Sequence, residues 1–76
     1  MPEPIRTIEI RDESIRLGQL LKLADFIDHG SEARELLIQG AVLVNGEVET
    51  RRGRQLVIGE TVTVRGETVG IAGRGH

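Results

Sequence analysis

The segment from Ser31 to Arg54 most narrowly restricts the fold of this chain, because its pattern changes from helix to strand within a few residues. Apolar residues at helical spacing stop at Gly40, and glycine readily takes the left-handed conformation that ends a helix. Asn45-Gly46 follows a short apolar run and is the strongest hairpin signal in the chain. The segment therefore predicts a helix followed directly by a β-hairpin.

A second helix is predicted before this segment. Apolar residues recur at helical spacing between Arg16 and Ile27. We expect Asp28-His29-Gly30 to end this helix, since glycine suits the C-cap position. Ser31 is expected to cap the next helix, because its side-chain oxygen can accept a hydrogen bond from a free backbone N–H. The short connection makes the two helices a hairpin.

Short strands are predicted on both sides of the helices. β-forming residues dominate residues 5–10, and a run of short strands follows the helices. The later strands are predicted over residues 42–44, 47–50, 56–58, 61–65 and 68–72. This order predicts one α+β domain over residues 1–76, with residues 73–76 as a loose C-terminal tail.

Length and composition argue against an enzyme. The chain has 76 residues and no cysteine, so it offers no thiolate nucleophile and little room for a deep pocket. Its two serines, Ser14 and Ser31, have no histidine at motif spacing, and it contains no phosphate-binding loop motif. We expect no cofactor, metal or small-molecule substrate. No apolar run approaches the ~20 residues of a membrane helix and no signal peptide is evident, so we expect a cytoplasmic protein. We also expect it to be a monomer.

Charge is distributed unevenly along the chain. Residues 1–49 carry five basic and ten acidic residues, whereas residues 50–76 carry five basic and two acidic ones. Three arginines, Arg51, Arg52 and Arg54, fall in what must be an exposed loop beside a helix N-terminus. Arginine presents a planar fork of donors that suits phosphate, and helix N-termini also attract anions. The pattern favours a nucleic-acid partner, although a solvated turn would have the same composition.

Many positions at fixed spacing resemble the S4 RNA-binding domain over residues 15–64. The matching positions are Arg16-Leu17, Leu20, Ser31, Ala33-Arg34, Leu37-Ile38, Gly40, Val42, Val44-Asn45-Gly46 and Gly59-Glu60-Thr61-Val62. Lys22-Leu23 and residues 48–51 are most similar to the small stand-alone bacterial proteins of the YbcJ-like group. Two positions depart from the family pattern: Gly18 replaces a frequent acidic residue, and Glu32 replaces a frequent basic one.

The resemblance implies an αL motif, in which a two-helix hairpin packs on a small, mostly antiparallel sheet. It also implies a non-catalytic, ribosome-associated protein that binds structured RNA, such as ribosomal or transfer RNA, across the second helix and the adjoining loops. The implied RNA contacts are Arg16, Lys22, Ser31, Arg34, Gln39, Arg51, Arg52 and Arg54. Phe26 is the only aromatic residue, so recognition is expected to use phosphates, shape and 2′-hydroxyls rather than aromatic stacking.

Other interpretations of these residues stay open from the sequence. Arg34 could form a salt bridge with Asp28, Glu32 or Glu35 instead of binding phosphate, and Lys22 could simply be solvated. The acidic N-terminal half could make the chain a protein-interaction module that never contacts RNA. A continuous positive face joining the second helix to the arginine loop would favour RNA. Cations neutralised by Glu32, Glu47 and Glu49 would favour the protein partner.

Overall fold

A computed structural model describes residues 6–73, which form two helices and seven strands. In chain order the elements are β1 (Arg6–Ile10), β2 (Ser14–Arg16), α1 (Leu17–Leu23), α2 (Gly30–Ile38), β3 (Val42–Val44), β4 (Glu47–Val48), β5 (Gln55–Val57), β6 (Thr61–Val64) and β7 (Glu67–Gly73). Neither helix is long and apolar enough to cross a membrane within this part of the chain. Gly73 pairs with Ile10 and so lies in a strand, while the rest of the predicted tail falls outside the described residues.

The strands form two sheets. The larger has the order β1-β7-β6-β3-β4, in which β1 and β7 run parallel and the other neighbours antiparallel. The smaller sheet is the antiparallel pair of β2 and β5. The prediction of an α+β fold with two helices on a mostly antiparallel sheet is therefore confirmed.

Both helices and both sheets contribute to one hydrophobic core. The side chains of Val62 and Val64 point inward from β6, as their alternation predicts. Leu56 is fully buried and connects the small sheet to the core. The helices contribute the buried residues Leu17, Leu20, Leu21, Ala33, Leu36 and Leu37. Burial on one side of each helix leaves the other side of α2 free to face solvent.

The tight turns follow the predicted chemistry. Asn45 and Gly46 both have positive φ, 53° and 85°, as a two-residue hairpin turn between β3 and β4 requires. Gly40 has a φ of 71° directly after α2, so the predicted helix stop is confirmed.

The first helix differs from the prediction. It ends at Leu23 rather than near Ile27, and the chain turns at Asp25, whose φ is 64°. Leu23 is 55% exposed, so the last residue of α1 lies outside its buried face. Gly30 is not the end of α1 but the first residue of α2. The apolar residues after Leu23 still reach the core, because the irregular segment folds back over it.

The start of α2 also differs from the prediction that Ser31 is its cap. The N-cap residue is His29, and Ser31 lies exposed within the first turn. Glu32 supplies the capping side chain instead, since its carboxylate accepts hydrogen bonds from the backbone N–H groups of Asp28 and His29 at 2.9 and 3.0 Å. These bonds lower the pKa of Glu32. Glu32 therefore has a structural role at the start of α2.

Substitutions at Ser31 and Glu32 should reveal which residue caps α2. We expect Ser31→Ala to change the free energy of unfolding by no more than about 0.5 kcal/mol, as for an ordinary surface position. Glu32→Ala should lower the melting temperature clearly more, because it removes both capping hydrogen bonds. Thermal unfolding followed by circular dichroism measures both. A larger loss for Ser31→Ala would contradict this assignment of the cap.

Candidate nucleic-acid interface

The arginine loop, residues 51–54, is anchored through its backbone to the start of α1. The N–H of Leu17 donates to the carbonyl of Arg54 at 2.8 Å, and the N–H of Gly18 donates to the carbonyl of Arg52 at 3.0 Å. The loop thus lies beside the N-terminus of α1 rather than that of the helix beginning near Ser31, and it occupies two N–H groups that an anion would otherwise use. The helix fixes the loop and leaves anion binding to the side chains.

Gly18 makes room for the side chain of Arg52. A Cβ atom at position 18 would lie 2.7 Å from Cγ and 3.2 Å from Cδ of Arg52, closer than carbon atoms normally approach. The aliphatic part of Arg52 therefore packs directly over the glycine. This contact gives a physical reason for glycine at position 18.

A shallow groove separates α2 from the arginine loop. Its lining, which we call the α2–loop groove, consists of Arg34, Leu37, Ile38, Thr50 and Arg52. Arg34 and Ile38 are one helical turn apart on the exposed side of α2, and Arg52 lies on the loop. Residues distant in sequence thus meet on one surface, and none of the lining residues is acidic.

The other two loop arginines are held by carboxylates. Glu49 is only 8% exposed and accepts hydrogen bonds from Nε of Arg51 and Nη1 of Arg54, both at 3.1 Å. Nη2 of Arg54 also donates to Glu60 at 3.0 Å. We call these four residues the Glu49 cluster. Glu49 further accepts from the backbone N–H groups of Thr50 and Arg51, each at 3.1 Å.

The electrostatics of the Glu49 cluster follow from these contacts. Hydrogen bonds from the side chain and backbone of Arg51, joined by Arg54, lower the pKa of Glu49 to about 2. The same carboxylate raises the pKa of Arg51. Two carboxylates face two guanidinium groups, so the cluster has no net charge.

The loop is therefore not the uniform cationic cluster that its sequence suggests. Arg51 and Arg54 are paired, whereas Arg52 and Arg34 form no salt bridge within residues 6–73. The alternative of a salt bridge from Arg34 to Asp28, Glu32 or Glu35 is thus not observed in this part of the chain. Neutralisation by Glu49 affects two cations, and the α2–loop groove retains the other two.

The remaining predicted contacts do not line the groove. Arg16 is exposed at the end of β2 and pairs in register with Gln55, next to the arginine loop. Lys22 is exposed one helical turn after Gly18 on α1. Ser31 lies one turn before Arg34 on the same side of α2, and exposed Gln39 is about 100° further around the helix than Ile38.

The apolar lining of the groove is a feature that the sequence prediction missed. Ile38 is 72% exposed, although an isoleucine in a helix is normally assigned to the core. One signal could have revealed it: Ile38 follows the buried Leu37 by one position, a rotation of about 100° away from the buried stripe.

Comparison with known proteins identifies relatives over most of the chain. Residues 8–72 match the family model for the S4 domain. The probable ribosome maturation protein RlbA of Bacillus subtilis strain 168 is 49% identical over 59 residues, which cover 78% of this chain and 83% of RlbA. The protein YbcJ of Escherichia coli strain K12 is 38% identical over 55 residues, which cover 72% of this chain and 79% of YbcJ.

The same relationship holds in three dimensions. The solution structure of YbcJ from E. coli matches with a TM-score of 0.67 and 33% sequence identity, covering 87% of this chain and 85% of YbcJ. That structure of YbcJ is described as revealing an αL motif involved in RNA binding.

Proposed function

The chain belongs to the S4 domain family, and from this premise we propose that it is a non-catalytic protein that binds structured RNA through α2 and the arginine loop. The similarity to RlbA, a probable ribosome maturation protein, favours ribosomal RNA, with transfer RNA as the other candidate. The similarity to the αL motif of YbcJ supports the choice of RNA as the partner. We propose that it acts in the cytoplasm as a monomer.

One observation carries this proposal: Arg34 and Arg52 both line the α2–loop groove, and the groove has no acidic lining residue. Guanidinium groups bind phosphate oxygens through paired hydrogen bonds. Two of them on facing elements can bind phosphates along an RNA backbone. Arg16, Lys22, Ser31 and Gln39 are proposed to extend this surface, and Arg51 and Arg54 to contribute through their outward edges.

Phosphate binding predicts a strong dependence of RNA affinity on salt. We expect the affinity for a structured ribosomal RNA fragment to fall as salt rises, with a logarithmic slope of roughly −0.9 for each phosphate neutralised. Filter binding or fluorescence anisotropy at several potassium chloride concentrations measures this slope. Absence of binding even at low salt would refute the proposed function.

The acidic N-terminal half of the sequence suggests the competing function of a protein-interaction module. A basic partner protein would bind through acidic residues and would not need the α2–loop groove. Crosslinking in cells separates the two functions, because sequencing identifies attached RNA and mass spectrometry identifies attached protein. Recovery of a protein partner with no RNA would favour the module.

A further inference from the structure

The α2–loop groove is partly apolar, which phosphate binding alone does not require. Ile38 is 72% exposed and lies one helical turn from Arg34, with Arg52 on the facing loop. Phosphates need only cations and hydrogen-bond donors, whereas an aliphatic side chain in the same groove as two arginines suits the flat face of a base. The groove therefore has the chemistry to contact two different parts of one nucleotide.

Base faces are inaccessible in a continuous RNA helix. An A-form duplex presents phosphates, 2′-hydroxyls and base edges, while its base faces are stacked inside. Only a nucleotide that is bulged or looped out can bring its base face against Ile38. The volume of the groove, about 400 Å³, lies in the range of small-molecule sites.

Residues 6–73 offer no aromatic side chain on which a base could stack, and the α2–loop groove supplies a stacking surface of another kind. Phe26 is the chain's only aromatic residue, and it is half-buried against the core. The guanidinium group of Arg6 lies 5.5 Å from the centre of its ring. A base can therefore stack only on a guanidinium plane or an aliphatic side chain, and the α2–loop groove presents both.

We infer that the α2–loop groove binds a single unstacked nucleotide within an otherwise folded RNA. The base lies against Ile38, the flanking phosphates bind Arg34 and Arg52, and the hydroxyl of Thr50 is available to the base edge. The inference rests on the proposed function and adds a specific ligand: RNA helices that contain a bulged nucleotide.

The test compares two RNA hairpins that differ only by one bulged nucleotide. The bulge carries 2-aminopurine, whose fluorescence reports a change in stacking. We expect the wild-type protein to bind the bulged hairpin about five- to tenfold more tightly and to change its fluorescence. Ile38→Ser should abolish most of this preference while retaining salt-dependent binding to both hairpins.

Leu23→Ser is a matched control. Leu23 is 55% exposed and is the last residue of α1, as Ile38 is the last residue of α2, but it does not line the groove. It should retain the full preference for the bulged hairpin. Equal wild-type affinity for both hairpins, or an unchanged preference in Ile38→Ser, would overturn the inference and leave RNA binding intact. Failure to bind either hairpin at low salt would overturn the proposed function as well.

Discussion

The double variant Arg34→Gln/Arg52→Gln is expected to bind structured RNA about 10- to 100-fold more weakly than the wild type at moderate salt. Each side chain is proposed to make a solvent-exposed contact to phosphate worth roughly 0.5–1.5 kcal/mol, so the two contacts together contribute roughly 1–3 kcal/mol to binding. The logarithmic salt slope should also become less negative by about 2, since two phosphates are no longer neutralised. Fluorescence anisotropy over a range of salt concentrations measures both quantities.

The stability of this double variant should stay close to that of the wild type. Both arginines are exposed, and neither forms a salt bridge within residues 6–73. Replacing all three loop arginines would be a poorer test, because it would leave Glu49 with neither of its arginine partners. An unchanged melting temperature assigns the loss of affinity to the surface rather than to unfolding.

Arg11→Gln/Arg65→Gln is the matched control for charge. Both arginines are exposed and lie outside the α2–loop groove. Replacing them lowers the net charge by the same amount as replacing Arg34 and Arg52. This control should lose only a small part of the affinity. Equal losses in the two double variants would show that RNA responds to net charge alone, and the groove assignment would be wrong.

Gly18→Ala tests the position of Arg52 without removing a charge. Its Cβ atom would meet Cγ of Arg52 at 2.7 Å and must displace that side chain. RNA affinity should fall several-fold, while alanine in a helix does not lower intrinsic helix stability. Unchanged affinity would mean that the packing of Arg52 over Gly18 has no part in binding.

Features of the fold that depend on local backbone chemistry could be predicted from the sequence. The hairpin turn at Asn45-Gly46 and the end of α2 at Gly40 both require positive φ, which those residues accept readily. The strand β2 could not be predicted, because Ile15 is the only apolar residue of its three, and these residues form a strand only by pairing with β5. The early end of α1 was missed because apolar residues reach the core beyond it without helical geometry.

The proposed RNA-binding surface was predictable only in part, for a different reason. Family resemblance and residue type together indicated Arg34 and Arg52. Counting charges could not reveal that Arg51 and Arg54 are paired, since that depends on the orientation of Glu49 at the end of the hairpin. Neighbouring arginines in one loop thus have different partners, because their side chains point in different directions.

The second large effect is expected at Glu49 itself. Glu49→Gln should lower the free energy of unfolding by about 1–3 kcal/mol, because a neutral amide replaces a nearly buried carboxylate that accepts bonds from Arg51, Arg54 and two backbone N–H groups. Denaturation in urea at about pH 7 measures the loss. Glu47→Gln is the matched control, since Glu47 is exposed and forms no salt bridge in the described part of the chain.

The loss in Glu49→Gln should also depend on pH in a specific direction. The pKa of Glu49 is lowered from 4.5 to about 2 in the folded state, so the unfolded chain takes up a proton first as the pH falls. The stabilisation by the carboxylate is complete above the unfolded value and disappears as the pH falls through the folded one. The difference in unfolding free energy between the wild type and Glu49→Gln should therefore shrink between about pH 4.5 and about pH 2. A difference that stays constant over this window would show that the carboxylate charge does not hold the arginine loop in place.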